Sequence, residues 1–236
     1  MGLNFSFRPA KILAVEHVSP AVQDYAKAIY ALQARTGGEA VSTNDLAERL
    51  DVSAASASGM ARKLDDLGLA THERYRGVEL TDAGEKVALE VLRHHRLLEL
   101  YLAKALDVPW DRVHDEAEVL EHVLSEDLEE LIAAKLGNPT RDPHGDPIPT
   151  RDGHIDETPT ASLQELQPGD AGVFVRVSDA DPEMLCYLGE RGIAPGDALE
   201  VIDKQPFGGP VFVRFGDDVH ALGGSLARAM RVEVGR

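Results

Sequence analysis

The chain has 236 residues, 43% of them hydrophobic, and sets 41 acidic side chains against 24 basic ones for a formal charge of −17. That length suits one large domain or two to three small ones, and that charge excludes a protein that coats nucleic acid indiscriminately, though not a local basic surface. The sequence has no run of about eighteen apolar residues, so no membrane partner is expected, and "MGLNFSFRPAKILAVEH" is too charged for a secretory signal. The single cysteine, Cys186, excludes an internal disulfide and fits a reducing cytosol.

In chain order, "VSPAVQDYAKAIYALQARTGG" predicts a first helix with Ser19 as N-cap, Pro20 at N1 and Gly37-Gly38 as its stop. "VSTNDLAERLDVSAASASGMARKLDDLGLA" reads as two short helices about a tight turn. Ser42 caps the first with Asp45 at N3, and Ser53 begins the second, which ends at Gly68. "LATHERYRGVELT" alternates around Arg76-Gly77 and predicts a hairpin, so residues 17–81 are expected to form a winged helix-turn-helix. Three further helices follow over 82–138: a long one from Thr81 to about Leu106, a second long one through "HDEAEVLEH", and "SEDLEELIAAKLG". In the middle helix Val119, Leu120 and Val123 are expected to anchor a core. "NPTRDPHGDPIPTRDGHIDETPTAS" (139–162) is rich in Pro, Gly and Asp and reads as a linker. Five short apolar strands and one helix, "PEMLCYLGERG", then predict a small β-barrel over 163–236. The expected fold class is multi-domain, mostly α with a small β part.

Basic side chains cluster between residues 42 and 80. Arg62 and Lys63 lie on the candidate recognition helix, Arg74 and Arg76 on the hairpin, and Ser53, Ser56 and Ser58 are short enough to enter a major groove. With Ser42 and Thr43 at a helix N-terminus, these residues predict binding of double-stranded DNA chiefly through phosphate. Small residues alone would serve tight helix packing equally well; the two arginines directly after the helix-turn-helix pattern favour DNA.

Histidine and carboxylate four residues apart on a helix can meet one cation. That spacing occurs at His114 and Glu118, at Glu118 and His122, and at His95 and Glu99; Glu121 and, on the first helix, Asp24 add oxygens. No cysteine lies near any of them, so the donors are oxygen and imidazole nitrogen, a set suited to Mn²⁺ or Fe²⁺. Each residue singly could be a solvated charge on an acidic surface. The joint pattern is the stronger signal.

Taken together, "AVQDYAKAIYAL", "LAERLDVSAASASGMARKLDDLGL", "YRGVELTDAGE", "RHHRLLELYL", "VHDEAEVLEHVLS" and "GNPTRDPHGDPIP" resemble the diphtheria-toxin-repressor family of metal-dependent transcriptional repressors, in its manganese-sensing branch. "GERGIAPGDALEV" and "PFGGPVFVRFG" look like the SH3-like (FeoA-like) C-terminal domain of its three-domain members. The resemblance covers nearly the whole chain. It implies a helical dimerisation domain, a homodimer, one or two dimers on an operator, and control of metal-homeostasis genes. By the same resemblance Asp24, Glu118, Glu121 and His122 match the primary ligands, and His95, Glu99 and His114 the ancillary ones. Iron-type members carry Met and Cys where this chain has Asp24 and Glu118, which favours Mn²⁺ over Fe²⁺.

The chain departs from the pattern in three places. Lys27 stands where manganese-type two-domain members carry a glutamate, which argues against a binuclear site of their kind. Gly59 replaces a glutamine of iron-type recognition helices, so the operator is expected to be read differently. The strand "GVFVRV" lacks the Glu and Gln that iron-type members lend to the ancillary site, leaving Asp179, Asp181 and Glu183 just beyond it as open alternatives. Two rival readings belong to other classes. A di-metal carboxylate enzyme needs paired Glu-x-x-His motifs, which "EVLEH" does not supply. An adaptor would use "RDPHGDPIP" as an internal ligand for the barrel.

Overall fold

The computed structural model describes residues 18–73, 76–155 and 158–235. The chain divides into two compact units, Met1–Val91 and Leu92–Arg236.

In the first unit α1 (Pro20–Thr36) starts at Ser19 with proline at its first position and stops at Gly37, whose φ of 72° is left-handed. Ser42 caps α2 (Thr43–Arg49) by accepting the Asp45 amide, and Ser53 caps α3 (Ala54–Asp66) by accepting that of Ser56. The hairpin of β1 (Ala70–Glu73) and β2 (Gly77–Leu80) follows, antiparallel with Ala70 opposite Leu80. Val22, Ile29, Leu46, Ala57, Leu64 and Val78 close one core under these elements. The architecture is a winged helix-turn-helix. Entry into α4 (Asp82–Leu106) needs glycine at position 84, where a Cβ would lie 1.8 Å from the Leu69 carbonyl oxygen.

The second unit takes in the rest of α4, α5 (Val113–Leu120) and α6 (Glu126–Lys135). Here the expectation of a second long helix is corrected. α5 has only 8 residues, and Glu121 to Val123 form the turn after it. The expected core role of Val119, Leu120 and Val123 is corrected too: they are 71%, 37% and 78% exposed, while Val113 and Ala117 supply the buried side. Eight residues offer little more than two turns, so one helix face is occupied by those two apolar residues and the acidic ones take another.

The Pro-rich segment from Asn138 to Ile155 is far more fixed than its composition implies. Ile148 joins Leu97, Leu98, Ala117 and Ile132 in the helical core, and Arg93 and Arg96 donate to the carbonyls of Pro149 and Pro147. The segment also docks on the β-domain. The Val177 amide donates to the His144 carbonyl at 3.0 Å, and Gly145, at φ 89°, passes so close to β4 that a Cβ would meet the Val175 oxygen at 1.8 Å.

The C-terminal domain is an antiparallel sheet of six strands rather than the five expected. They are β3 (Ala161–Ser162), β4 (Ala171–Val177), β5 (Ala198–Lys204), β6 (Val211–Phe215), β7 (Asp218–Leu222) and β8 (Met230–Val234), in the order β3-β8-β4-β5-β6-β7. The additional strand is β3, two residues long and too short to leave an alternating pattern. α7 (Pro182–Gly189) and the unforeseen α8 (Gly224–Ala229) cover a core of Phe174, Leu188, Val201, Val213, Leu222 and Met230.

Candidate metal centre

His95 is the hub of a buried polar cluster in the second unit. α4 sets it one turn before Glu99, and its Nε2 lies 3.0 Å from Glu99 Oε1 and 3.2 Å from Nδ1 of His114 on α5. On its other side Nδ1 lies 2.5 Å from Glu121 Oε2 and 3.6 Å from Glu118 Oε1. Asp179, just past β4, reaches in from the C-terminal domain and places Oδ2 3.1 Å from His114 Nδ1. His95, Glu99, His114 and Asp179 thus converge with one ligand atom each, all within 4.8 Å of one another. His95, Glu118 and Glu121 form a second group by the same measure. Two imidazoles and two carboxylates balance the charge of a divalent cation, and the donors are the hard oxygen and borderline nitrogen that first-row ions accept, so the residues fit such an ion.

The electrostatics of the cluster follow from its burial. Glu99 is 1% exposed, and burial alone would raise its pKa. The imidazoles of His114, His144 and His95 crowded around it reverse this and hold the carboxyl well below its ordinary range. His114 is pushed up to about 10, first by its bond to Asp179 and next by Glu99. Without a metal, therefore, protons on imidazole neutralise the carboxylates, and metal binding must displace them.

Glu121 occupies the C-cap of α5 and turns inward to His95; His122 follows it, half-buried, with Nε2 3.6 Å from Glu121 Oε1. Asp24 sits half-buried on α1 in the first unit.

Two residues of the cluster are not assigned by the sequence pattern. Asp179 was one of three alternatives, and only the fold of β4 selects it: Asp181 instead caps α7 through the Glu183 amide. His144 lies within "RDPHGDPIP", where the sequence pattern assigns it no role. It is fully buried, stacks on Trp110 at 5.9 Å, donates from Nε2 to the Trp110 carbonyl at 2.7 Å, and aims Nδ1 at Glu99 Oε2, 3.7 Å away. Pro143 before it and the left-handed Gly145 after it were the available signals of a fixed turn.

In the first unit, Arg62 and Lys63 are exposed on α3, and Gly59 beside them has open space around it. Ser42 and Ser53 spend their hydroxyls on helix caps, the latter also meeting Ser56 Oγ at 2.9 Å. Ser58 and Thr43 are half-buried, and the Ser58 carbonyl accepts from Arg62 Nε. Arg76 is exposed and paired with Glu73 at 3.2 Å. Arg74 lies outside the described residues.

Three family models match the chain in succession. They are the iron-dependent repressor N-terminal DNA-binding domain (17–78), the iron-dependent repressor metal-binding and dimerisation domain (81–150) and the FeoA domain (161–234). The iron-dependent repressor IdeR of Mycobacterium tuberculosis is 33% identical over 200 residues, 80% of this chain and 86% of its own length. The chain belongs to the diphtheria-toxin-repressor family. The diphtheria toxin repressor of Corynebacterium efficiens is 30% identical over 80% of this chain and 85% of its own. Among solved structures, a manganese-dependent transcriptional repressor in complex with manganese is 44% identical, with a TM-score of 0.83 over 91% of this chain and all of its own. The manganese regulator SloR follows at 29% identity and a TM-score of 0.72 over 92% of this chain. This chain is accordingly a metal-dependent transcriptional repressor, not an enzyme, with a DNA-binding and a dimerisation domain. No helix among the described residues is long and apolar enough to cross a membrane.

Proposed function

We propose that this repressor senses manganese and, when loaded, binds operator DNA as a homodimer to control metal-ion homeostasis genes. The observation that carries this is the donor set: carboxylates and imidazoles converge around His95, and the chain's one cysteine is on α7, where its thiol donates a hydrogen bond to Asp111. Asp24, Glu118, Glu121 and His122 are the activating ligands in this proposal. His95, Glu99 and His114 form the ancillary set, completed by Asp179. A bound divalent cation would supply the positive charge that offsets the mutual repulsion of these carboxylates. Asp24 belongs to the DNA-binding unit and the other activating ligands to the dimerisation unit, so sharing one ion would restrict the angle between them and hence the spacing of two α3 helices on successive half-sites. A roughly 100-fold preference for the competent arrangement would correspond to about 2.7 kcal/mol, ample for a switch. The identity to iron-dependent relatives keeps Fe²⁺ as the second reading.

The test is operator binding by metal-free full-length protein, using duplexes selected from a random library, titrated in parallel with Mn²⁺, Fe²⁺, Zn²⁺ and Co²⁺. Mn²⁺ should stimulate binding at the lowest free concentration set against Fe²⁺, and Asp24→Ala or Glu118→Ala should abolish the stimulation while leaving the dimer intact. Unchanged metal dependence in either variant would refute the bridging arrangement. Combining Asp24→Met with Glu118→Cys should shift preference toward Fe²⁺.

A further inference from the structure

A second polar cluster, which shares no residue with the candidate metal centre, lies where the segment from Arg141 to Thr160 meets the C-terminal domain. A cavity of about 320 Å³, the size of a small-molecule site, is lined by Arg141, Arg176 and Arg231 with Thr158, Thr160 and Val175. Arg176 on β4 and Arg231 on β8 are direct Cα partners, immediately after the register shift between Phe174 and Arg176. Like charges directly opposite on neighbouring strands destabilise a sheet, so folding alone does not account for this pair. Among the described residues only Arg176 of the three has a carboxylate partner, Asp146 at 3.3 Å. Arg141 donates to the Gly145 carbonyl at 2.6 Å and toward Thr158 Oγ1 at 3.5 Å, and Arg231 donates to Thr160 Oγ1 and the Thr160 carbonyl, both at 3.2 Å. These acceptors are neutral: they orient the guanidinium groups without cancelling their charge. In a chain of formal charge −17, this cavity concentrates positive charge.

We propose that this cavity binds a small oxyanion ligand, a metabolite carrying a phosphate or carboxylate group. Each guanidinium presents five N–H donors in a planar fork that matches either group bidentately, and the donors not used by Asp146, Thr158, Thr160 and Gly145 serve it. Bound there, the anion relieves the opposition of Arg176 and Arg231 and fastens Arg141, and with it the Pro-rich segment, to β4 and β8.

The experiment uses the full-length protein in phosphate-free buffer at constant ionic strength, titrated calorimetrically with inorganic phosphate and separately with succinate, with thermal unfolding followed at each concentration. One saturable site for either probe is expected, and the stronger probe identifies the group. Arg231→Gln should weaken that binding at least ten-fold and remove the ligand-induced rise in Tm, while its ligand-free Tm equals or exceeds that of the wild type. Arg141→Gln should weaken binding likewise and serves if Arg231→Gln fails to fold. Absence of saturable binding, or equal affinity in wild type and variants, overturns the proposal. If both probes fail and Arg231→Gln instead loses operator affinity with a shallower salt dependence, the arginines contact DNA phosphate and the small-ligand site is refuted.

Discussion

Glu99 and His114 show how single residues set the charge state of the candidate metal centre. With its folded pKa near 10, well above the 6.5 of an ordinary histidine, His114 stabilises the metal-free fold fully below pH 6.5, and that contribution is lost as pH rises through about 10. Urea denaturation of chelated protein between pH 6 and pH 10 (both about the limits of that window) should therefore show stability falling with pH. Asp179→Asn should flatten the fall, since Asp179 is the largest cause of the shift. An unaltered slope in that variant would remove Asp179 from the cluster. The same coupling means that His114 releases a proton when a metal takes its place, so uptake should be tighter at the higher pH.

The length and capping of individual elements decided what could be read ahead of the structure. α1, α2 and α3 were legible because each carries its own stop and start chemistry, Pro20 and Gly37 on one, Ser42 and Ser53 on the others. α5 was not, because "HDEAEVLEH" has helical spacing throughout while the chain leaves the helix after Leu120; local periodicity does not report where tertiary contacts pull Glu121 inward to His95. The grouping of His95, Glu99 and His114 was legible from spacing and resemblance, whereas the approach of Asp179 to His114 needed the fold of a distant domain. The Pro-rich segment hid its order because that order comes from long-range bonds: Arg93 and Arg96 to its carbonyls, and Gly145 against β4. Gly145→Ala tests this dependence. A Cβ there meets the Val175 oxygen at 1.8 Å on a left-handed backbone, so a loss of at least about 2 kcal/mol in urea unfolding is expected. Gly192→Ala, also left-handed (φ 66°) but with open space around it, should cost about 1 kcal/mol or less. Equal costs at the two positions would mean that the segment does not need its close approach to β4.

At the scale of the whole molecule, the exposed apolar side chains offer a surface for the dimer that the dimerisation domain implies. Val119, Val123, Leu128 and Leu131 are 71%, 78%, 48% and 67% exposed on and after α5 and along α6, on a chain whose net charge is strongly negative. Two acidic chains repel one another at long range, so their association must rest on short-range apolar burial, and these residues are positioned to provide it. Fully burying a Val or Leu side chain contributes roughly 1.5–3 kcal/mol. Val119→Glu combined with Leu131→Glu should then weaken dimerisation by about 100-fold or more, seen as a shift from dimer to monomer in sedimentation velocity. The His95 cluster lies within one chain, so calorimetric Mn²⁺ binding to its ancillary ligands should persist in the monomer, while operator affinity falls because half-sites are no longer bound in pairs. A dimer unchanged by both substitutions would place the interface on another face and leave these apolar residues without a role in assembly.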